Sequence, residues 1–596
     1  MSIVPLARIT FYAHVDDKET VLTDLQGFGC LHLIPLAPEE ERIAKAGPSS
    51  HSREALRFLA GCRYRRRQVK DPSGFHASAI ERQALDLRDR IHALGEERDF
   101  LQGRISNLRP WGDFEFPPRE ELAGLRLWFY VVPHHEMNGV EETGLIWEAV
   151  FHDNRFSYVA VISENEPQGM PVSRVRTGDK SIAELEARLE AVEIELEDLQ
   201  AERSGLTRWC DLFAGSIHRL EDRAEVSEAF RLTLDKRPVF ALQAWAPVES
   251  LPGLEQYAAE KGLGMDAVQP DPGESPPTLM RNPPALAGGQ DLVSFYTTPR
   301  YWRWDPSIIV FFSFALFFAM IFADAGYSAL LGVIAAALWK RMGRSDAGRR
   351  FRILMGVLVG MGVGYGVMVG SYFGISPPEG SILRQLKCLD MMNFDQMMKL
   401  SILTGVSHLV LANAVTAWHG RRSPAAVVPA AWILIFTGGV ALWLGTSGGG
   451  DAVLLRNAGI AVMGAGAMGV LLFNRLEGPL WRRLLGGLLG LARLSNVFGD
   501  SLSYLRLFAL GLASASLAAT FNDLAGQVRT AVPGIGLLFA LVILLLGHSL
   551  NFVLALASGV IHGLRLNFIE FFNWSISEEG RPFKAFARKE TRSWKT

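Results

Sequence analysis

The sequence predicts two α+β lobes joined by a long antiparallel coiled-coil arm, followed by an all-α membrane domain of eight transmembrane helices. Three observations predict this fold class. The 596 residues split into a charged half, up to about residue 300, and a half in which apolar stretches of membrane-spanning length follow one another from Ile308. Two stretches of the charged half repeat apolar residues at a mean spacing of about 3.5, the period of a coiled-coil seam. Short β-rich segments lie on either side of those stretches. The expected boundaries are 1–300 for the cytoplasmic part, with coiled-coil segments 77–109 and 181–221 and a Pro-rich linker 269–300, and 301–596 for the membrane part with its C-terminal tail.

Within the first half, Leu6 to His14 and Cys30 to Leu36 read as strands around a helix from Lys18 to Gly27. Leu125 to Val132 and Phe156 to Ile162 are β-rich, and Val239 to Ala246 and Met265 to Val268 flank a helix over 251–261. The first seam runs Ile80, Ala84, Leu87, Ile91, Leu94, Leu101, Ile105, Leu108, with Arg98 in its one gap. The second runs Ile182, Leu185, Leu189, Val192, Leu196, Leu199, Leu206, with Arg203 in the gap. Two amphipathic helices in an ordinary bundle would show the same seams; their length and densely charged flanks favour a paired arm. Pro270, Pro272, Pro276, Pro277, Pro283 and Pro284 exclude regular helix across the linker. Tyr301-Trp302-Arg303-Trp304 places aromatic rings where a membrane interface should begin.

Composition removes several function classes. With 60 Lys+Arg against 62 Asp+Glu the net charge is −2, which argues against a nucleic-acid partner. The mean hydropathy of +0.16 is high for a wholly soluble chain. Cys30, Cys62, Cys210 and Cys388 have neither zinc-site nor redox spacing. Met1 to Asp17 lacks the apolar core of a secretory signal, so the N-terminus is expected in the cytoplasm. Gly178-Asp179-Lys180-Ser181 lacks the glycine and the Gly-Lys pair of a P-loop. His134-His135 beside Glu136 lacks helical metal-site spacing and reads as a strand end. No cofactor and no metal is expected.

The expected spans are 308–323, 325–340, 353–374, 397–418, 425–445, 453–473, 496–521 and 534–567. Asp324 interrupts an apolar run from Ile308 to Trp339, so a tight hairpin is expected around Asp324-Ala325-Gly326. Basic clusters test the count. Lys340, Arg341, Arg344, Arg349, Arg350 and Arg352 follow span two, and Arg421 and Arg422 follow span four. Arg475, Arg482, Arg483 and Arg493 follow span six; Arg581, Lys584, Arg588, Lys589, Arg592 and Lys595 follow span eight. Alternate loops carry the charge, which puts these loops and both termini on the cytoplasmic side.

The last two spans hold the chemistry. Arg506 and Arg565 sit inside apolar segments, where a guanidinium costs about 2.5–3.5 kcal/mol on insertion scales. Arginine does not shed that cost by losing its proton, so it requires a partner, water or access to the interface. His548, Asn551, Ala555, Ser558, His562 and Arg565 follow one another at three and four residues, a single polar stripe on one helix face. In span seven Ser503, Arg506, Ala513 and Thr520 share a face, and Gly511, Ser514, Ala515, Ser516, Ala518 and Ala519 allow close helix approach. Buried structural polarity with a snorkelling Arg565 is the plain alternative; a stripe carrying titratable histidines points to a water or proton path.

Ser503-Tyr504-Leu505-Arg506-Leu507 with Ala509-Leu510, followed by His562-Gly563-Leu564-Arg565-Leu566, resembles the a subunit of rotary V-type and A-type ATPases, called subunit I in prokaryotes. Phe322-Ala323-Asp324-Ala325-Gly326-Tyr327 is similar to the family's first membrane motif, Gly370-Ser371-Tyr372-Phe373-Gly374 to its third-span glycine motif, and Asn282-Pro283-Pro284 to its linker. The resemblance covers essentially the whole chain. Ala323 and Ser328 replace glycines of the first motif, Ala555 stands where many relatives carry a glutamate, and Ser514 where eukaryotic relatives carry a histidine.

The resemblance implies a membrane stator without nucleotide binding or ATP hydrolysis of its own. A ring of proteolipid c subunits, each with one essential carboxylate, would turn against spans seven and eight. Arg506 and Arg565 would favour the ionised carboxylate and block a direct leak between two offset half-channels. His548, Asn551, Ser558, His562, Glu570, Ser503 and Asp324 are the implied half-channel residues. Implied partners are peripheral-stalk subunits of E and G type, a central-rotor socket subunit, transported H+ or Na+, and the lipid membrane. A Gly- and Ala-rich chain suits a prokaryotic plasma membrane. Two other readings remain: a stand-alone secondary transporter with a cytoplasmic regulatory domain, which predicts repeated spans, and a structural anchor, which leaves the arginines without a role.

Overall fold

The structure, a computed structural model, describes residues 2–36, 50–113, 124–175, 177–178, 180–446, 450–475, 479–532, 534–576 and 578–588. Asp179 of the Gly-Asp-Lys-Ser stretch and Lys589, Arg592 and Lys595 of the basic tail lie outside these residues. In chain order the elements are β1 (Leu6–His14), α1 (Lys18–Phe28), β2 (His32–Ile34), α2 (Ser50–Ala60), α3 (Ala77–Leu108), β3 (Arg126–Pro133), α4 (Met137–Glu141), β4 (Ile146–His152), β5 (Phe156–Ser163), α5 (Ile182–Leu206), α6 (Cys210–Leu232), β6 (Leu234–Lys236), β7 (Val239–Pro247), α7 (Leu251–Lys261) and β8 (Gly264–Val268). Helices follow: α8 (Ala287–Tyr296), α9 (Ser307–Phe322), α10 (Ala325–Met342), α11 (Asp346–Val369), α12 (Ile382–Gln385), α13 (Phe394–His419), α14 (Val427–Gly445), α15 (Gly450–Phe473), α16 (Leu480–Leu491), α17 (Leu494–Ser503), α18 (Leu505–Ala531), α19 (Gly536–Arg565), a π-helical turn (Leu566–Phe571) and α20 (Phe572–Ser575). The chain forms two compact units. One comprises Met1–Ala13, Cys30–Ile34 and Ala241–Ala585, the other His14–Gly29, Pro35–Phe240 and Phe586–Thr596.

In the second unit the two heptad seams pack against each other from about Ile91 to Leu108, whereas Ile80 and Ala84 at the start of α3 are buried with α2 and α6. Leu101, Ile105 and Leu108 of α3 share a core with Leu185, Val192 and Leu196 of α5. The pair is antiparallel: Asp113, just past α3, accepts the main-chain N–H of Ile182 and Ala183 at the start of α5, at 3.0 and 3.3 Å. Ser181 and Glu184 complete a capping box there. The expected segment 181–221 is one helix only to Leu206; a 3-10 turn, Thr207–Trp209, breaks it before α6. The three-stranded antiparallel sheet β3-β5-β4 covers one end of the seam, with Trp111 edge-on to Phe129 and Tyr158. His134 and His135 lie in a turn after β3, where His134 bonds Ser157 Oγ and the Asp153 carbonyl.

In the first unit the sheet order β2-β7-β1-β8 is antiparallel at β1–β8 and β2–β7. Helix resumes at α8, three residues after Pro284, inside the stretch expected as linker. The aromatic run is less interfacial than expected. Trp304 is buried, stacked on His419, and the Tyr301 hydroxyl accepts the Leu6 N–H, which leaves Trp302 as the exposed ring.

Among the described residues six helical stretches are long and apolar enough to cross a membrane: Asp346–Val369, Phe394–His419, Pro424–Gly445, Ala452–Phe473, Trp481–Ala531 and Gly536–Ser575. Ser307–Phe322 is a shorter apolar helix. The break at Asp324 exists, but the tight hairpin does not. Helices α9 and α10 each pack on α11 rather than on one another. The reason is the loop after α11. Span three stops at Val369 because Gly370 turns left-handed (φ 72°), so the Gly370–Gly374 motif is loop rather than membrane helix and wedges into the α9–α10 corner. Around residues 474–495, expected as a basic loop, α16 and the start of α17 form instead.

Candidate ion-transfer site

Helices α18 and α19 pack along their length and against α9. The close approach comes from small residues at every fourth position of α19. Gly547, Asn551, Ala555, Gly559 and Gly563 are its buried line, with Phe318 and Phe314 of α9 against Gly559 and Gly563. The predicted polar stripe shares Asn551 and Ala555 with this line and otherwise lies beside it: His548, Ser558 and His562 are half-buried, and Arg565 is exposed.

The structure divides the predicted site residues into two clusters. The first gathers at the α9–α10 corner. Asp324 is buried and accepts four hydrogen bonds: from the N–H of Tyr327 (2.9 Å), Phe373 (3.0 Å) and Gly374 (3.0 Å), and from the Ser371 hydroxyl (2.6 Å). It thus caps α10 and holds the glycine loop at once. From there a chain of polar groups continues. The Tyr327 hydroxyl pairs with His548 Nδ1 at 2.7 Å and accepts from Asn551 Nδ2 at 3.1 Å. His548 Nε2 meets Asn522 Oδ1 at 3.0 Å, and Asn551 donates to the Ser514 carbonyl while accepting from the Ser514 hydroxyl.

The second cluster lies around the arginines. Arg506 is in the first turn of α18, and Arg565 ends α19, where the backbone widens into the π-helical turn that carries Asn567 and Glu570. Such turns arise where one residue is inserted into a helix, and they concentrate at functional sites. Arg565 Nε stands 3.9 Å from the Glu570 carboxylate, which is itself buried, its side chain being 2% exposed. Among the described residues, buried Arg506 Nη1, His562 Nδ1 and Glu570 Oε2 have no hydrogen-bond partner. Ser503 ends α17 within reach of Glu570. Ser558 occupies α19 between the two clusters. From His548 to His562 the helix rises about 21 Å.

Sequence reasoning missed Tyr327, Asn522, Ser371 and the pair His408–Tyr504 as members of these clusters. The Tyr504 hydroxyl meets His408 Nδ1 at 2.9 Å, and His408 stacks on Phe571, the residue after Glu570, at 4.4 Å. A lone histidine in the apolar stretch 397–418 was the available signal. Asn522 offered none, because its partner lies on another helix.

The sequence aligns with curated proteins over most of its length. It is 28% identical to the V-type ATP synthase subunit I of Chlamydia pneumoniae, covering 90% of this chain and 88% of that one. It is 29% identical to its namesake in Chlamydia trachomatis, covering 86% and 88%. The chain is a homologue of the subunit I proteins of V-type and A-type ATP synthases. The A-type subunit I of Methanocaldococcus jannaschii is 25% identical over 69% of this homologue and 64% of its own length. No family model matches the subunit I homologue. A crystal structure of the cytoplasmic N-terminal domain of a V-ATPase subunit I aligns with 44% of it and 99% of that domain, at 14% identity and a TM-score of 0.24, too low to support a comparison of folds. With its six spanning-length helices, the subunit I homologue is an integral membrane protein.

Proposed function

We propose that this chain is the membrane stator of a rotary V/A-type ATP synthase, in which a proteolipid ring carries H+ or Na+ past α18 and α19. One observation carries the proposal: among the described residues one buried nitrogen of the Arg506 guanidinium has no hydrogen-bond partner, and Arg506 and Arg565 both lie near the under-satisfied Glu570. A buried unpaired guanidinium is costly unless something arrives to pair with it, and a ring carboxylate is the matching charge. In lipid that carboxylate is held neutral; opposite Arg506 and Arg565 it ionises and releases its ion.

The two clusters then serve two half-channels offset by roughly 21 Å along α19. Asp324, His548 and Asn551 line one, Ser503, His562 and Glu570 the other, with Ser558 between. Eight spans are proposed, α9 and α10 being the first two, with the basic loops and both termini cytoplasmic in a prokaryotic plasma membrane. The α3–α5 pair serves as the arm that peripheral-stalk subunits of E and G type grip, and a central-rotor socket subunit sits on the ring. The chain itself binds and hydrolyses no nucleotide.

The test is ATP-driven ion uptake into inverted membrane vesicles, comparing wild type with Arg565→Gln and Arg506→Gln, with complex assembly followed on native gels. Assembled variants without uptake are the expected result. Unimpaired uptake in both would overturn the reading.

A further inference from the structure

Helix α16 has an apolar face that no described residue covers. Trp481, Leu484, Leu485, Leu488 and Leu489 recur at i, i+3, i+4, i+7 and i+8, one side of a helix, and all are exposed, Leu488 by 61% and Leu489 by 70%. The opposite side is glycine. Gly486, Gly487 and Gly490 press against Arg475, Leu471 and Asn474 at the end of α15, and Asn474 Nδ2 donates to the Gly486 carbonyl at 2.8 Å. These close approaches fall on residues 471–475, the last turn of α15 and the two residues after it, so α16 crosses the end of that helix instead of running alongside it. A 12-residue helix is about 18 Å long, too short to span a bilayer.

Two further features say what covers the leucines. The apolar face continues the flank of α15, where Leu472 and Phe473 are exposed as well, so both elements meet one apolar medium. Charge then gathers at its edge. Arg475 precedes α16, Arg482 sits beside the Trp481 ring at 5.1 Å, and Arg483 comes next in the chain. Glu477 is the one acidic residue between Arg475 and Val497, against four arginines.

We propose that α16 is an interfacial helix, its leucine face sunk at the headgroup–acyl boundary and Arg475, Arg482 and Arg483 held at anionic phospholipid headgroups. An amphipathic helix with leucine and tryptophan on one face and arginine at its margin has this preference, and each basic residue near an anionic surface contributes about 1 kcal/mol. The glycine side pins it to α15, so the lipid contact bears on the link between α15 and α17, the segment that leads to Arg506. The proposal holds whichever side of the membrane α16 occupies, and so stands apart from the ion-transfer reading.

The test uses the full chain in lipid nanodiscs. With the four natural cysteines replaced, Leu489→Cys carries a fluorophore, and phosphatidylcholine or phosphatidylglycerol brominated near the top of the acyl chains is the quencher. Strong quenching is expected, at least about twofold greater with phosphatidylglycerol, and the excess should vanish in Arg475→Gln/Arg482→Gln/Arg483→Gln. An unquenched label in folded protein refutes the interfacial helix, as does a label quenched in the lone chain but shielded in the assembled complex, which would assign the face to a protein partner. Equal quenching by the two lipids refutes the headgroup contact. Should the cysteine-free background not fold, native mass spectrometry of the chain with its natural cysteines decides: phosphatidylglycerol retained by wild type and lost from the triple variant supports the proposal, and equal retention overturns it.

Discussion

Replacing Asp324 with asparagine changes one oxygen into an amide nitrogen, and the cost can be worked from the four hydrogen bonds that the carboxylate accepts. Oδ1 accepts from Tyr327 and Phe373, so it remains an acceptor in the amide. Oδ2 accepts from Ser371 and Gly374, and an amide NH2 there would face two donors. The Ser371 hydroxyl turns and accepts instead; the Gly374 N–H has no such freedom. Leaving it unsatisfied costs roughly 1–3 kcal/mol, and the two bonds kept at Oδ1 fall from charge-assisted to neutral at about 0.5–1.5 kcal/mol each. The sum centres near 4 kcal/mol, which is about a 10³-fold shift in a local opening equilibrium. Hydrogen–deuterium exchange of the Phe373 and Gly374 amides in the detergent-solubilised protein reads that equilibrium directly. Faster exchange by two to three orders of magnitude in Asp324→Asn is expected, confined to the 370–376 loop and the start of α10. Unchanged exchange in a folded variant would refute the view that this carboxylate holds the corner together.

Gly366→Ala is expected to be among the most damaging single changes, because the added Cβ would sit 2.7 Å from the Ala325 Cα in the same corner and main chain does not yield; overpacking of this kind costs at least about 1–3 kcal/mol, seen as a lower unfolding temperature and loss of assembled complex. Tyr327→Phe removes the hydroxyl between His548 and Asn551 and should slow ATP-driven uptake by roughly tenfold with assembly intact; full uptake would make that network structural only. The C-terminal segment should loosen as pH falls. Burial pushes His32 below the ordinary histidine value of 6.5, and its neutral Nδ1 accepts the Lys584 N–H. A depressed folded pKa means the unfolded form binds the proton first, so the contact is fully present above about 6.5 and weakens below it. Exchange at the Lys584 amide against pH checks this, and His32→Gln should flatten the profile.

Several features were legible because they depend on neighbouring residues only. The heptads of 80–108 and 182–206 specify a face; its middle part is buried between α3 and α5, and its end at Ile80 and Ala84 is buried against α2 and α6. The strands at 6–14, 156–163 and 239–247 lie within a residue or two of where β-rich composition places them. Asp324 was recognisable as a break, since a carboxylate in an apolar run begins a helix more readily than it continues one. The helix α16 was not legible: its leucines are interleaved with two arginines and three glycines, and the basic residues read as loop.

What needed the tertiary structure was every choice between faces and every partner. On α19 polarity singles out the line His548 to Arg565, yet the line that packs is Gly547, Asn551, Ala555, Gly559 and Gly563, because two helices approach where side chains are small, not where they are polar. The division of the stripe into a corner network and an arginine cluster arises from groups on other elements, Tyr327 and Asn522 at one end and Arg506 with the π-helical turn's Glu570 at the other. By itself the sequence determined where six of the long apolar helices lie and that Arg506 and Arg565 fall in the last two of them, since hydropathy, period and charge are properties of a local run. Which groups satisfy one another, and which buried nitrogens among the described residues find no hydrogen bond, was decided by contacts between runs, where geometry rather than composition sets the energy.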